Sequence, residues 1–276
     1  MKTFVPSGLL APVALSALLV PLMSCDGRTP GAPSTPNEQP TVKVTTAHFQ
    51  ILGDRAGAAL LAGIGETLEA QYPRITSDLR VSGLPVTSVW VWQNSTSFYA
   101  HMQSTAGTVW QGATGWVPGP HTVSILASVG AEARAPGTAV HEFAHVVSIA
   151  VNSSIGNNPR WLWETVALYE NGEFVDPTTL DYMRAGNYPS PADLDAAYNT
   201  SGRVYQVGYV LGEYIVQRWG LDGLVRLIQR NGDLGTAFGV TTAEFESGWH
   251  SFLHEKYGLP LTLMGAGSAP PTRRGC

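Results

Sequence analysis

Residues 141–145 read His141-Glu142-Phe143-Ala144-His145 and lie in the apolar segment TAVHEFAHVVSIAV of residues 138–151. The apolar positions of this segment recur at helical spacing, at Val140, Phe143, Ala144, Val147 and Val151. We predict a helix here, with Thr138 as its N-cap. Two histidines four residues apart then lie about one turn apart on another flank, so both imidazoles can reach one metal ion. The intervening Glu142 stands beside the first ligand, where it can take a proton from a metal-bound water.

A zinc site for hydrolysis needs a third protein ligand and one open position. The downstream segment NNPRWLWETVALYE, residues 157–170, predicts a second helix, with Asn157 or Asn158 as its cap. Glu164 lies in this helix and follows His145 after 18 intervening residues. Its carboxylate is our candidate for the third ligand.

Glu170 is an alternative ligand on the same helix. It lies six residues beyond Glu164, about 600° around the helix, so the two carboxylates cannot share a face. The spacing and the preceding Trp161-Leu162-Trp163 favour Glu164.

With these residues, the chain resembles the gluzincin metallopeptidases. The segment WLWETVALY, residues 161–169, is similar to the third-ligand helix of the peptidase-MA-like families, commonly W-L-x-E-G-x-A-x-Y. The resemblance covers roughly residues 43–258. It implies a zincin-like fold and a Zn²⁺-dependent hydrolysis of peptide bonds. The residues it implies are the zinc ligands His141, His145 and Glu164 and the general base Glu142.

Three features depart from that family pattern. Thr165 stands where the family usually has Gly after the ligand Glu. The G-x-M-E-N motif, with which aminopeptidases of this clan hold a substrate's N-terminus, is missing from the sequence, and Gly115-Trp116-Val117-Pro118-Gly119 occupies the nearest region without an acid. The chain is also far shorter than those enzymes. The resemblance therefore implies a zinc hydrolase without implying an aminopeptidase.

The rest of the chain predicts an α+β fold. Strands are expected at 42–52, 86–92 and 121–126 because these segments are rich in β-branched and aromatic residues. Helical spacing predicts one long helix over 54–79 and a mostly helical pattern from the HExxH helix to Gly258. We further expect a short helix that Asn94 caps and that ends near Met102, and a loop or irregular strand over residues 107–120. We expect a small twisted sheet packed on the HExxH helix, followed by a helical C-terminal half, within a domain of residues 42–260.

Peptide hydrolysis also calls for a hydrogen-bond donor that stabilises the oxyanion, and no motif in the sequence identifies this donor. Tyr205 and Tyr209 stand one turn apart on a predicted helix, and Tyr205 is our candidate because it opens that helix. The alternative is that both tyrosines pack the helix onto the core, and His121 is a weaker candidate donor. The sequence has a second pair of histidines four residues apart, His250 and His254. Because no Glu follows the first of them, we interpret both as structural residues rather than metal ligands.

The N-terminal residues predict export. Lys2 and the apolar run LLAPVALSALLV of residues 9–20 are typical of a signal peptide, here residues 1–24. The following Leu22-Met23-Ser24-Cys25 resembles the lipobox of bacterial lipoproteins, which implies lipidation of Cys25. An ordinary secretory signal is the alternative.

Two polar segments flank the predicted domain. Residues 25–41 hold several prolines and predict a tether, and residues 261–276 predict a flexible tail. With a lipid on Cys25, the protein would be anchored to a bacterial membrane on the extracytoplasmic side, in the cell envelope or periplasm.

Composition excludes other classes. The 276 residues carry 16 Lys+Arg against 21 Asp+Glu, a net charge of −5, and no basic cluster that would bind nucleic acid. Two cysteines, Cys25 and Cys276, are too few for a disulfide scaffold or a Cys-rich zinc module. The sequence therefore predicts a lipid-anchored zinc metallopeptidase with a peptide or protein substrate. The alternatives are an inactive zincin-fold lipoprotein that serves as a binding or scaffold module, and a hydrolase of a non-peptide bond.

Overall fold

The computed structural model of the chain describes residues 41–53 and 55–261. The signal peptide of residues 1–24 and the lipidation site Cys25 lie outside these residues, as do nearly all of the tether and the tail. Those assignments stay predictions. In the described part of the chain, none of the helices combines the length and the apolar character that crossing a membrane requires.

The described residues form an α+β structure. The strands are β1 (Thr41–Thr45), β2 (Phe49–Gly53), β3 (Thr87–Trp92), β4 (Gly115–Gly119) and β5 (Thr122–Leu126). The helices are α1 (Ala58–Asp78), α2 (Ser95–Ala106), α3 (Ala135–Val151), α4 (Arg160–Asn171), α5 (Asp181–Arg184), α6 (Pro191–Ala196), α7 (Tyr198–Ser201), α8 (Val204–Gln229), α9 (Leu234–Phe238) and α10 (Thr242–Tyr257). Single 3₁₀ turns occupy Glu132–Arg134 and Pro177–Thr179.

The strands form one mixed sheet in the order β1-β2-β3-β5-β4. The central pairs β2–β3 and β3–β5 are parallel, and the outer pairs β1–β2 and β4–β5 are antiparallel. β4 is therefore an edge strand, and Pro118 within it suits an edge because proline cannot donate to a neighbouring strand.

Helices cover both faces of the sheet. On one face α1 and α3 pack on the inward side chains of the central strands, among them Val89, Val91 and Ile125. On the other face α2 covers a smaller apolar cluster that consists of Trp92, Phe98, Met102 and Trp116. The alternation of β-branched and tryptophan residues along β3 supplies both cores, because successive side chains of a strand point to opposite faces.

The C-terminal half is helical, as the sequence predicts. α4 lies between α3 and α8. Gly208 permits the close approach of α8, because a Cβ on this residue would lie 2.5 Å from Leu168 Cδ1. α8 bends at Gly220, whose φ of 70° and ψ of 175° lie outside the helical region.

Two local predictions need correction, for residues 42–52 and for Thr138, and a third is made more specific. The segment 42–52 forms two strands rather than one, because the Thr46 hydroxyl accepts a hydrogen bond from the Phe49 backbone N–H and closes a turn between them. The region 107–120, predicted as a loop or irregular strand, contains β4, whose pairing with β5 is irregular between Trp116 and Gly119. Thr138 is not an N-cap. The 3₁₀ turn before α3 runs directly into the helix, which begins at Ala135, and the Thr138 hydroxyl donates to the Arg134 carbonyl.

Candidate metal centre

Two helices bring the predicted ligands together. His141 and His145 lie one turn apart on α3, and Glu164 lies on the neighbouring α4. The Nε2 atoms of His141 and His145 lie 3.2 Å and 3.9 Å from the same carboxylate oxygen, Glu164 Oε2. The three donor atoms all lie within 4.8 Å of one another.

The three side chains are buried, with 4–11% of their surface exposed. They are buried because α3 packs between the sheet and α4. Two imidazoles and one carboxylate form a donor set that catalytic zinc sites use, and imidazole and carboxylate also suit other divalent ions. The group can therefore hold a metal ion.

Burial and mutual charge set the ionisation of the ligands. Burial, with the His141 charge, lowers the pKa of His145 to about 3, which keeps this ring in the neutral form that binds metals. Burial opposes ionisation of Glu164, but the hydrogen bond from His141, electrostatic interactions with the two imidazoles and a hydrogen bond from Tyr198 outweigh it and lower its pKa. The carboxylate is therefore ionised. Burial also disfavours the charged form of His141, yet Glu164 raises its pKa overall.

Glu142, the predicted general base, lies on α3 beside this cluster and is buried. Burial raises the pKa of its carboxyl to about 8; the charge of His141 opposes this rise, and the smaller effect of the Glu164 charge adds to it. Its carboxyl group contacts the edge strand β4 at Gly115. A Cβ on Gly115 would lie 2.3 Å from Glu142 Oε1, so this contact exists only because residue 115 is glycine.

An aromatic ring supports His145. The indole of Trp163 stacks on the imidazole with ring centroids 3.9 Å apart and an angle of 2° between the planes. His145 Nδ1 is buried and has no hydrogen-bond partner among the described residues. The stack, rather than the hydrogen bond that usually orients a ligating histidine, therefore holds this ring.

The predicted cap does not stabilise the N-terminus of α4. Neither Asn157 nor Asn158 caps it; Pro159 precedes the helix and provides no side-chain cap. Instead, the Trp161 backbone N–H donates to the Asp195 carboxylate at 2.7 Å. Asp195 lies on α6, far along the chain, so local sequence could not reveal this contact.

Tyr205 lies next to the site. Its hydroxyl is 2.8 Å from that of Tyr198, and Tyr198 donates a hydrogen bond of 2.9 Å to Glu164 Oε1. No periodicity or motif in the sequence marks Tyr198 as a residue of the site. Burial and the Glu164 charge raise the pKa of both hydroxyls far above the ordinary value, so both keep their protons. Tyr209 packs against Tyr169 and Phe174 instead.

The alternative ligand Glu170 points elsewhere. Its carboxylate is fully buried and lies 2.7 Å from Arg74 of α1. This ion pair joins α1 to α4, so Glu170 serves packing, as its position on the other face of the helix predicts.

Thr165 leaves α4 regular. The helix continues without a break from Arg160 to Asn171. The Thr165 hydroxyl is buried and has no hydrogen-bond partner in the described part of the chain. Thr165 therefore leaves Glu164 in place within the cluster.

The second histidine pair lies on α10, away from the three ligands. The His250 ring packs edge-on against Tyr188, and His254 Nδ1 is 2.8 Å from the Leu259 carbonyl oxygen near the end of that helix. Both histidines have local structural contacts.

Comparison of the chain with protein-family models, with curated proteins and with solved structures finds no match. The site itself is therefore the basis on which a function can be proposed for the chain.

Proposed function

We propose that the protein is a zinc-dependent metallopeptidase of the gluzincin type, with a zincin-like arrangement of the sheet and α3. The observation that carries this proposal is the convergence of His141, His145 and Glu164 on one buried point, with Glu142 beside it. The four-residue spacing of the histidines does not by itself require a third ligand, and a carboxylate from another helix lies 3.2 Å from the His141 ring.

Zinc bound by these three residues would act as a Lewis acid and lower the pKa of a water in the open fourth position. Glu142 would take a proton from the attacking water and pass a proton to the leaving amine. Glu142 is buried beside the three ligands, and the positive charge of a bound metal would oppose the rise in its pKa that burial causes and would favour the ionised form that a base needs. Tyr205 is the proposed donor to the oxyanion, for which its hydroxyl would have to release its contact with Tyr198.

The edge strand β4 offers a place for an extended substrate. It pairs on one side with β5 and ends the sheet, so the backbone groups of its other side can pair with a peptide. Gly115 of β4 contacts Glu142. A peptide that added to this strand would therefore pass close to the base, which favours a peptide or protein substrate.

The proposal includes a location. A lipid on Cys25 would hold the domain at a bacterial membrane on the extracytoplasmic side. This part rests on residues 1–25 of the sequence alone.

Metal analysis and proteolysis together test the function. The purified full-length protein is expected to contain one zinc per chain and to cleave an unfolded protein such as casein. Glu164→Ala should lose the zinc, and Glu142→Gln should keep it but lose cleavage. Wild-type protein that binds zinc yet cleaves none of a broad set of unfolded proteins and peptides would favour the binding or scaffold module instead. Full activity of Glu142→Gln would refute the proposed base.

A further inference from the structure

Tyr198 contacts the one oxygen of Glu164 that the histidines do not face. Glu164 Oε2 points to His141 and His145, at 3.2 Å and 3.9 Å. Glu164 Oε1 accepts the hydrogen bond from the Tyr198 hydroxyl at 2.9 Å. Each carboxylate oxygen therefore has a separate role, and only Oε2 faces the point where the three donor atoms converge.

The directions of the hydrogen bonds among Tyr205, Tyr198 and Glu164 follow from the protons that each group carries. An ionised carboxylate can only accept, so Tyr198 gives its single proton to Glu164. The 2.8 Å contact between the two tyrosine hydroxyls then has Tyr205 as donor and Tyr198 as acceptor. The result is a chain that runs from Tyr205 to Tyr198 to Glu164.

The ring of Tyr198 is held by the helix that carries Glu164. The guanidinium of Arg160, the first residue of α4, lies 4.5 Å from the centre of the Tyr198 ring. The same guanidinium donates to the side chain of Asn199 at 3.1 Å. Tyr198 therefore keeps its position relative to Glu164 through two contacts, one at the hydroxyl and one at the ring face.

We propose that Tyr198 is a positioning residue of the metal centre: it occupies Glu164 Oε1 and so restricts Glu164 to a one-oxygen ligand that leaves the fourth position open. This inference rests on the proposed metal centre and deepens it. Partners that orient metal ligands typically contribute 10–100-fold to metal affinity. A hydrogen bond that only stabilised the short α7 would have no such effect on the metal.

The test compares Tyr198→Phe with Tyr182→Phe in the full-length protein. Tyr182 is a matched control. Its hydroxyl also donates to a side chain, that of Gln206 at 2.9 Å, and its ring also lies beneath a guanidinium, that of Arg203 at 4.6 Å. Circular dichroism first establishes that both variants are folded.

Zinc dissociation constants are measured by competition with a chelator, and Co²⁺ replaces zinc for visible absorption spectra. Tyr198→Phe should bind zinc about 10–100-fold more weakly. Its cobalt absorption should be weaker than that of the wild type, because a carboxylate that binds through both oxygens raises the coordination number. Tyr182→Phe should match the wild type in both measurements.

If Tyr198→Phe has the zinc affinity and the cobalt spectrum of the wild type, the inference is overturned and the proposed peptidase function is unaffected. A wild-type protein that binds no zinc would overturn both. If Tyr198→Phe does not fold, Arg160→Gln decides the matter, since it removes the support of the ring and keeps both hydroxyls. A smaller loss of zinc affinity in that variant supports the inference, and an unchanged affinity overturns it.

Discussion

The contact between Gly115 and Glu142 gives the sharpest prediction, the effect of Gly115→Ala. The new Cβ would lie 2.3 Å from Glu142 Oε1, 2.7 Å from Cγ and 2.8 Å from Cδ. Ordinary contacts begin near 3.4 Å, so the carboxyl group must withdraw by about 1 Å. The change adds one methyl group on β4, and the three atoms nearest to it all belong to Glu142.

A displacement of about 1 Å in a reacting group can lower the rate about 100-fold. We therefore expect Gly115→Ala to lower kcat/KM for a quenched-fluorescent peptide by about 100-fold, mainly through kcat, while one zinc per chain remains bound. The assay pairs this rate with metal analysis of the same preparation. A loss of zinc would show that the substitution disturbs more than the base.

Gly119→Ala on the same strand is the matched control. A Cβ at Gly119 would meet nothing within 4 Å, and this variant should retain the activity of the wild type. Equal activity of Gly115→Ala and Gly119→Ala, both with full zinc content, would refute the reasoning that Gly115 allows Glu142 its working position.

Three further predictions concern other parts of the molecule. Trp163→Leu removes the stack that holds His145. We expect the zinc dissociation constant, measured by chelator competition, to rise about 10-fold. An unchanged constant would show that the His145 ring does not need this support. Burial raises the pKa of Glu170 from 4.5 to about 7. Between these two pH values the native state therefore binds more protons than the unfolded state. The free energy of unfolding should fall as the pH rises from 4.5 to about 7. Urea titrations of the wild type and Glu170→Gln at several pH values should show this fall only in the wild type, and parallel curves would contradict the assignment. Cys25→Ala should abolish the incorporation of labelled palmitate and release the protein from the membrane fraction of a bacterial host, whereas continued labelling would place the lipid elsewhere.

Local patterns in the sequence predicted much of the fold and the central part of the site. Helical spacing of apolar residues predicted α1, α3 and α4, and segments rich in β-branched and aromatic residues predicted β3 and β5. These elements are predictable because each pattern is complete within one short stretch of sequence. The four-residue spacing of His141 and His145 placed both rings on one helix face. The 18 residues before Glu164 are enough for a turn and a second helix, and the structure brings that carboxylate to the histidines.

Only the tertiary structure decided what surrounds those residues. Gly115 meets Glu142 because β4, an edge strand in a segment that the sequence predicts only as a loop or irregular strand, packs on α3. Tyr198 meets Glu164, and Asp195 meets Trp161, because α6 and α7 lie near α4 although about 34 residues separate each pair. Such contacts depend on how whole elements pack, and no local period or propensity encodes them. The sequence therefore determined which side chains could bind a metal, whereas the packing of α3 against β4 and the position of α7 beside α4 determined how those side chains are held.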